Sequence, residues 1–345
     1  MKILVSGGQG FLGRRVIDFL TAAGYRARAL VRRPAPELEA LGVETAPGDL
    51  LDVPSLDSAV KGLDGVIHCA AKSGVWGTLD SFVEANFVTT VNLLSAARRG
   101  GAAWFVHASS PSVVHTGAPL NGVDESAPYT GNPAHGYPYS KMLAERAVLA
   151  ADGPGFRTTA LRPHLIWGPG DPHFLPRLMD KARQNRLWLL RSEALVDGVY
   201  IDNAARAHVL AAEKLARQSA GGPAGPAGGP AGRAYFIAQG EPLTAAELIG
   251  RILAAAAAAR GEKLAIRGFW PAGPGRIAAR ALEKAWKILP LAGEPPLTSF
   301  VAEELTLPHW FKLDRARLDL GYEPTVSLAE GLRLLAGKGG ANELS

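Results

Sequence analysis

Cysteine is almost absent from this chain: Cys69 is the single thiol among 345 residues. One thiol excludes an internal disulfide and fits a reducing compartment. Aromatic residues are sparse, at 7%. No uninterrupted apolar run approaches the roughly 20 residues that a membrane-spanning helix needs. A secretory signal is not expected either, because Met1-Lys2 leads into a short strand-like run and then into glycines. Charge of one sign is scarce as an excess, with 37 basic residues against 32 acidic ones, a net +5. Without clustered basic runs the chain does not have the footprint of a nucleic-acid binder, and a small positive excess suits an anionic cofactor or substrate. A soluble, cytoplasmic globular protein is the expectation.

Glycine and proline are plentiful, at 40 and 25 residues. Their placement punctuates alternating patterns. Apolar strand-like runs fall at Ile3 to Val5, Arg26 to Val31, Gly65 to Cys69, Ala103 to Ala108 and Thr158 to Leu161. Helical spacing lies between them, at Phe11 to Ala23, Phe82 to Arg99 and Tyr139 to Ala151. Such alternation predicts an α/β fold of the doubly wound Rossmann type, a parallel sheet covered on both faces. After the breaker cluster at Gly168 to Pro172, Phe174 to Arg186 reads as helix. Val199 to Ile201 and Ala234 to Ala238 read as strands returning to the sheet. The division expected is a dinucleotide-binding part over 1–165 with returning segments at 194–240, and a smaller, mostly helical substrate-binding part over 166–193 and 241–345. Gly221 to Gly232 is nearly all Gly, Pro and Ala, with nothing bulky to bury, and predicts a mobile surface insertion.

Between the first strand and the first helix lies Ser6-Gly7-Gly8-Gln9-Gly10-Phe11-Leu12-Gly13. Two glycine spacings fit, starting at Gly7 or at Gly8. The strand ends at Ser6, which favours Gly7, Gly10 and Gly13: a sharp turn, a close backbone approach to a pyrophosphate, and tight helix–strand packing. At the end of the second strand, where an NAD enzyme usually offers a carboxylate, stand Arg32 and Arg33. Two guanidinium groups suit a 2′-phosphate, so NADP (NADPH) is expected, with NAD as the alternative.

Tyr137-Pro138-Tyr139-Ser140-Lys141 carries the chemical signal. Tyr137 and Lys141 share a helix face, four residues apart, and Pro138 suits a first helical turn. An ammonium beside the phenol is expected to lower its pKa and make Tyr137 a working general acid and base. A hydroxyl for the substrate oxygen is expected from Ser109 or Ser110, at the end of a strand where doubly wound folds place ligands. No pair of histidines has zinc-motif spacing, so no metal is expected; His107 reads as a satisfied core residue and Cys69 as packed.

These motifs, in this order, resemble an extended short-chain dehydrogenase/reductase. The likeness rests on Gly7-x-x-Gly10-x-x-Gly13, Asp49-Leu50, His68-Cys69-Ala70-Ala71, Ser109-Ser110 and Tyr137-x-x-x-Lys141. Leu161 to Gly170, Val199 to Ala204 and Leu307-Pro308-His309-Trp310-Phe311 extend it over nearly the whole chain. It is most specific to the 3β-hydroxysteroid dehydrogenase-like branch. Ala70 to Gly77, Ser109 to Val114 and the Glu294-Pro295-Pro296 region are similar to the bacterial 2-alkyl-3-oxoalkanoate reductases of long-chain olefin biosynthesis. The resemblance implies Tyr137, Lys141 and Ser110 as the catalytic set. It implies a cofactor site of Gly7, Gly10, Phe11, Leu12, Gly13, Arg32, Arg33, Asp49 at the adenine, Leu50 against its ring, Ala70 and Ala71 beside ribose and pyrophosphate, Lys141, and Pro163 and Leu165 flanking the nicotinamide.

The activity so implied is reduction of a long-chain β-keto acid, or oxidation of a sterol-like alcohol such as a 4-carboxysterol. A nucleotide-sugar epimerase or dehydratase, and a redox sensor that binds NADP, are the other readings. Ser109, His173 and Arg177 are candidate substrate contacts, the last two as cations for a carboxylate. From Arg276 to Leu289 a basic helical face opposes an apolar one, which suits either peripheral contact with an anionic membrane or a domain helix with a solvated face. A homodimer and association with neighbouring pathway enzymes are expected of the family.

Overall fold

Along the first strand, Ile3 and Val5 bury on one side and Leu4 on the other. The same split recurs at Ile67 against Val66 and at Val106 against Phe105, all fully buried. Strands apolar in both directions can only lie in a sheet covered on both faces. The computed structural model, which describes residues 1–222, 228–289 and 291–337, has that sheet.

Seven strands compose it: β1 (Lys2–Ser6), β2 (Arg26–Val31), β3 (Glu44–Pro47), β4 (Gly65–His68), β5 (Trp104–Ala108), β6 (Arg157–Pro163) and β7 (Arg233–Ile237). They run in the order β7-β6-β5-β4-β1-β2-β3, and every pairing is parallel. The order reverses between β1 and β4, so a crevice opens at their carboxyl ends, where ligands bind in such sheets. Helix α1 (Phe11–Ala22) covers one face through Val16, Ile17 and Leu20, and α2 (Thr89–Arg99) covers the other through Leu93, Leu94 and Ala97. Helix α3 (Gly136–Ala150) follows a long loop after β5.

A second apolar cluster joins Trp167, Leu175, Leu178 and Met179 to Leu248, Ile249, Ile252 and Leu335. Side chains from both sides of β7 in sequence thus share one core. Helices α4 (Phe174–Arg183), α5 (Ile201–Ser219), α6 (Ala272–Ile288) and α7 (Ser299–Thr306) complete the frame of the site.

Three expectations need correction. Val199–Tyr200 does not return to the central sheet; it pairs with Ile166–Trp167 in a separate ribbon, because α5 begins at Ile201 and leaves two residues to extend. The helix read from Phe82 begins at Leu79 and passes through a π-helical stretch at Val83–Val88 before α2. Of the Gly/Pro/Ala segment, residues 223–227 lie outside the described residues. Its end is not a loose surface loop: Gly229 and Pro230 are buried, the Pro230 carbonyl accepts from the Arg233 N–H at 3.2 Å, and the segment leads straight into β7.

Candidate active site

Gly7 turns the chain at the end of β1 with φ +71°, and a Cβ there would meet the Ala70 nitrogen at 2.8 Å. A Cβ on Gly13 would stand 2.2 Å from the Gly7 carbonyl oxygen. Turn and helix therefore need glycine at those two places, which selects the spacing that begins at Gly7. The Gly10 N–H closes the turn on the Gly7 carbonyl at 2.9 Å, and Phe11 opens α1 with Leu12 behind it. No acidic residue occupies the first turn of α1, so its free N–H groups and positive end stay suited to a phosphate. A cradle of this shape fits the pyrophosphate of a dinucleotide.

Around that cradle Ser6 Oγ accepts from the Ala70 N–H at 3.3 Å and lies 2.6 Å from His68 Nδ1. Ala70 and Ala71 thus abut the glycine turn. Arg32 and Arg33 are exposed beyond β2 and make no ion pair among the described residues. Asp49 is half-buried after β3, its Oδ1 accepting from the Leu51 N–H at 2.9 Å, and the Leu50 carbonyl accepts from Asn92 Nδ2 at 2.9 Å. Pro163 ends β6, and Leu165 just beyond it has φ 39°. A leucine in that left-handed region costs about 1–2 kcal/mol, and strain of this kind gathers at ligand sites. The Val199 N–H holds it by donating to its carbonyl at 3.3 Å.

Helix α3 carries Tyr137, Lys141 and Glu145 at successive four-residue steps, hence on one face. Burial pushes the Tyr137 phenol above its ordinary value, while a hydrogen bond from Ser110 pulls it down and the charge of Glu304 pushes it up. Lys141 is not what faces the phenol here. Its Nζ donates to the Ala108 carbonyl at 2.6 Å and lies 3.3 Å from His107 Nε2. Burial draws this ammonium down to about 8. The expectation that the ammonium lowers the phenol is therefore reversed in direction, since desolvation of the ring raises it and Lys141 is turned to the Ala108 carbonyl instead.

The two serines separate cleanly. Ser109 is buried and donates to Glu145 Oε2 at 2.5 Å, within a network in which Arg162 grips Glu145 and Tyr129 donates to it at 2.8 Å. Ser110 instead faces Tyr137 and caps the turn that follows, accepting from the Ser112 N–H at 3.2 Å. His107 is less satisfied than expected: its Nδ1 is buried without a partner among the described residues. Cys69 fits its packed character, burial raising its thiol to about 12.

Asn86, inside the π-helical stretch, ties these parts together. Its Oδ1 accepts from the Lys72 N–H at 2.7 Å, and its Nδ2 donates to the Lys72 carbonyl and to Ser140 Oγ at 3.1 and 3.0 Å. The loop after β4 and the helix bearing Tyr137 are clamped by one side chain.

Tyr137 lines a cleft with Trp76, Phe82, His135 and Phe300, and Lys287 of α6 borders it. An adjoining cleft of about 390 Å³ is lined by His115, Asn132, His135, Ser299, Glu303 and Arg280. His173 and Arg177 border neither; both are exposed, and Arg177 pairs with Glu294. The cations at the clefts come instead from α6, whose Arg280 and Lys287 were expected on a solvated or membrane-facing side. The apolar residues Ile277 and Ile288 of that helix are 70% and 68% exposed. Sequence reasoning did not single out His135 or the Glu303-Glu304 pair, because the two places lie more than 160 residues apart in the chain; only a late His-Trp-Phe run hinted that this region mattered.

A family model described as "3-beta hydroxysteroid dehydrogenase/isomerase family" matches residues 4–265. A 2-alkyl-3-oxoalkanoate reductase from Stenotrophomonas maltophilia is 44% identical over 339 residues, 97% of this chain and 98% of that protein. Its namesake from Shewanella oneidensis is 37% identical over 345 residues, 96% of this chain and 84% of that one. Among solved structures, a UDP-glucuronic acid 4-epimerase from Bacillus cereus, in complex with UDP-glucuronic acid and NAD, superposes with a TM-score of 0.71 over 99% of both chains at 21% identity, a likeness of fold. The cradle, the sheet order and these relatives agree: the chain belongs to the 3β-hydroxysteroid dehydrogenase/isomerase family of extended short-chain dehydrogenase/reductases, and it is a nicotinamide-dependent oxidoreductase.

Proposed function

We propose that the chain reduces long-chain 2-alkyl-3-oxoalkanoates to the 2-alkyl-3-hydroxy acids with NADPH, as a step toward olefinic hydrocarbons. The observation that carries it is Ser110 beside Tyr137, whose cleft is bordered by Lys287 and adjoins a second cleft lined by Arg280. A ketone next to a carboxylate asks for that combination: hydroxyls at the carbonyl oxygen and a cation a few ångströms away. When bound, reduced nicotinamide supplies a hydride to the carbonyl carbon. The Ser110 hydroxyl holds the carbonyl oxygen as negative charge gathers there, and Tyr137 delivers its phenolic proton to it. Burial favours this direction, since a phenol held above its ordinary value stays protonated until the oxyanion forms. Lys141, held by the Ala108 carbonyl, lies one helical turn from Tyr137, and the phenolate left after transfer regains its proton from solvent. Arg32 and Arg33, exposed at the end of β2 and without a carboxylate partner among the described residues, support NADP over NAD.

A steroid substrate is the second reading, kept by the family description itself. The test follows cofactor absorbance with a synthetic long-chain 2-alkyl-3-hydroxy acid or a 3β-hydroxysteroid, each with NADP and with NAD. Oxidation of the acid with NADP, lowered at least about 10²-fold by Tyr137→Phe, is expected. Turnover of the steroid alone, or of the acid with NAD alone, overturns the corresponding half of the proposal.

A further inference from the structure

Beside Tyr137, two buried histidines turn the same ring nitrogen toward one carboxylate. The His164 Nδ1–H donates to the Asp197 carbonyl at 2.7 Å, and the His309 Nδ1–H donates to the Leu307 carbonyl at 2.7 Å. A carbonyl can only accept, so each Nδ1 carries a proton, and Nε2 is the nitrogen that each ring can offer to a metal ion. Both Nε2 atoms face Glu304: its Oε2 lies 3.8 Å from His164 Nε2 and 3.5 Å from His309 Nε2. Those gaps exceed the roughly 2.7–2.9 Å of a charged hydrogen bond. They are close to the edge of a zinc tetrahedron, about 3.3–3.4 Å when metal–ligand bonds are about 2.0–2.1 Å.

The surroundings are those of a built site. His164 and His309 are 7% and 6% exposed, their rings nearly perpendicular at 83° with centroids 4.8 Å apart. One ligand atom from each of the three residues lies within 4.8 Å of the other two. Main-chain carbonyls on both Nδ1 atoms are the outer-shell arrangement that fixes the tautomer of a metal-binding histidine. Glu304 keeps 29% of its side chain accessible, and its Oε1 sits 3.4 Å from His115 Nδ1. Three protein ligands with one accessible edge leave a fourth position for water or a ligand oxygen.

We infer that His164, Glu304 and His309 form a binding site for a divalent transition-metal ion, zinc being the reference, with an open coordination position. The ligands come from the end of β6, from α7 and from the strand after it, so no short spacing announces them in the sequence. The site is independent of the substrate proposed above.

Tag-free protein, stripped with a chelator and dialysed, would be titrated with Zn²⁺ against a chromophoric competitor and with Co²⁺ for a tetrahedral visible band. One equivalent per chain is expected, weakened at least tenfold in His164→Ala, His309→Ala and Glu304→Gln, with His173→Ala unchanged as the exposed-histidine control. Circular dichroism identifies any variant that fails to fold; Glu304→Gln keeps the side-chain shape and decides the question if a histidine variant does. A wild-type chain that binds no stoichiometric Zn²⁺, or folded variants that bind it as well as wild type, overturns the inference.

Discussion

Alanine at Gly13 is the sharpest probe of the cradle. The added methyl would stand 2.2 Å from the Gly7 oxygen, 2.7 Å from the Gly7 carbonyl carbon and 3.2 Å from the Gly8 nitrogen. All three are backbone atoms, so no rotamer relieves the clash. Ordinary carbon contacts begin near about 3.5 Å, and either α1 or the glycine turn must retreat by roughly 1 Å. Overpacking of this kind costs about 1–3 kcal/mol, against about 0.5–1 kcal/mol gained from alanine in a helix. A net loss of roughly 1–2 kcal/mol of stability is expected, and because the displaced turn is what meets the pyrophosphate, dinucleotide affinity should fall as well. Fluorescence titration with NADPH and urea unfolding read the two effects separately. Gly24→Ala is the comparison: with φ +77° and nothing within 4 Å of the new methyl, it strains a helix end far from the cradle and should spare affinity. Unchanged affinity together with an equal or higher urea midpoint in Gly13→Ala would refute the reasoning.

The serines should part in kinetics: Ser110→Ala is expected to lower kcat at least about 10²-fold, whereas Ser109→Ala loses only a buried hydrogen bond and about 1–3 kcal/mol of stability. Equal kinetic losses in both would reject the assignment. Glu145→Gln leaves Arg162, 2% exposed, without its counter-charge, and about 3–5 kcal/mol should vanish from the urea unfolding free energy; a loss under 1 kcal/mol would show the network to be slack. Lys141 gives a pH signature. Burial lowers its ammonium to about 8, so above that pH the unfolded chain holds more protons than the folded one and stability rises with pH until the ordinary lysine range, by at most about 1.4 kcal/mol per unit. Wild type should therefore gain on Lys141→Met between about pH 8 and pH 10, and a flat difference in unfolding free energy would contradict the burial argument.

Local pattern carried the fold a long way. Strands buried on both faces, glycines at the first turn, and tyrosine and lysine four apart are short-range facts, set by side-chain period and backbone sterics. Hence β1, β2, β4 to β7, α1 and the Tyr137–Lys141 face were legible without coordinates, whereas the short β3 was not read, and the glycine spacing was legible once the strand end was placed at Ser6. The misread elements are those where local signal is weakest: a two-residue strand at Val199–Tyr200, and a π-helical stretch whose purpose is to aim Asn86 at Lys72 and Ser140.

The charges of the site were another matter. Which serine faces Tyr137 depended on Glu145 capturing its neighbour, and where the Lys141 ammonium points depended on the Ala108 carbonyl. Arg280 in place of Arg177, and Glu304 between His164 and His309, join residues distant in the chain. Periodicity speaks for backbone and burial because each residue feels its near neighbours. Ion pairs and the meeting of two histidines with one carboxylate depend on ångström distances between remote segments, and folding alone sets those distances.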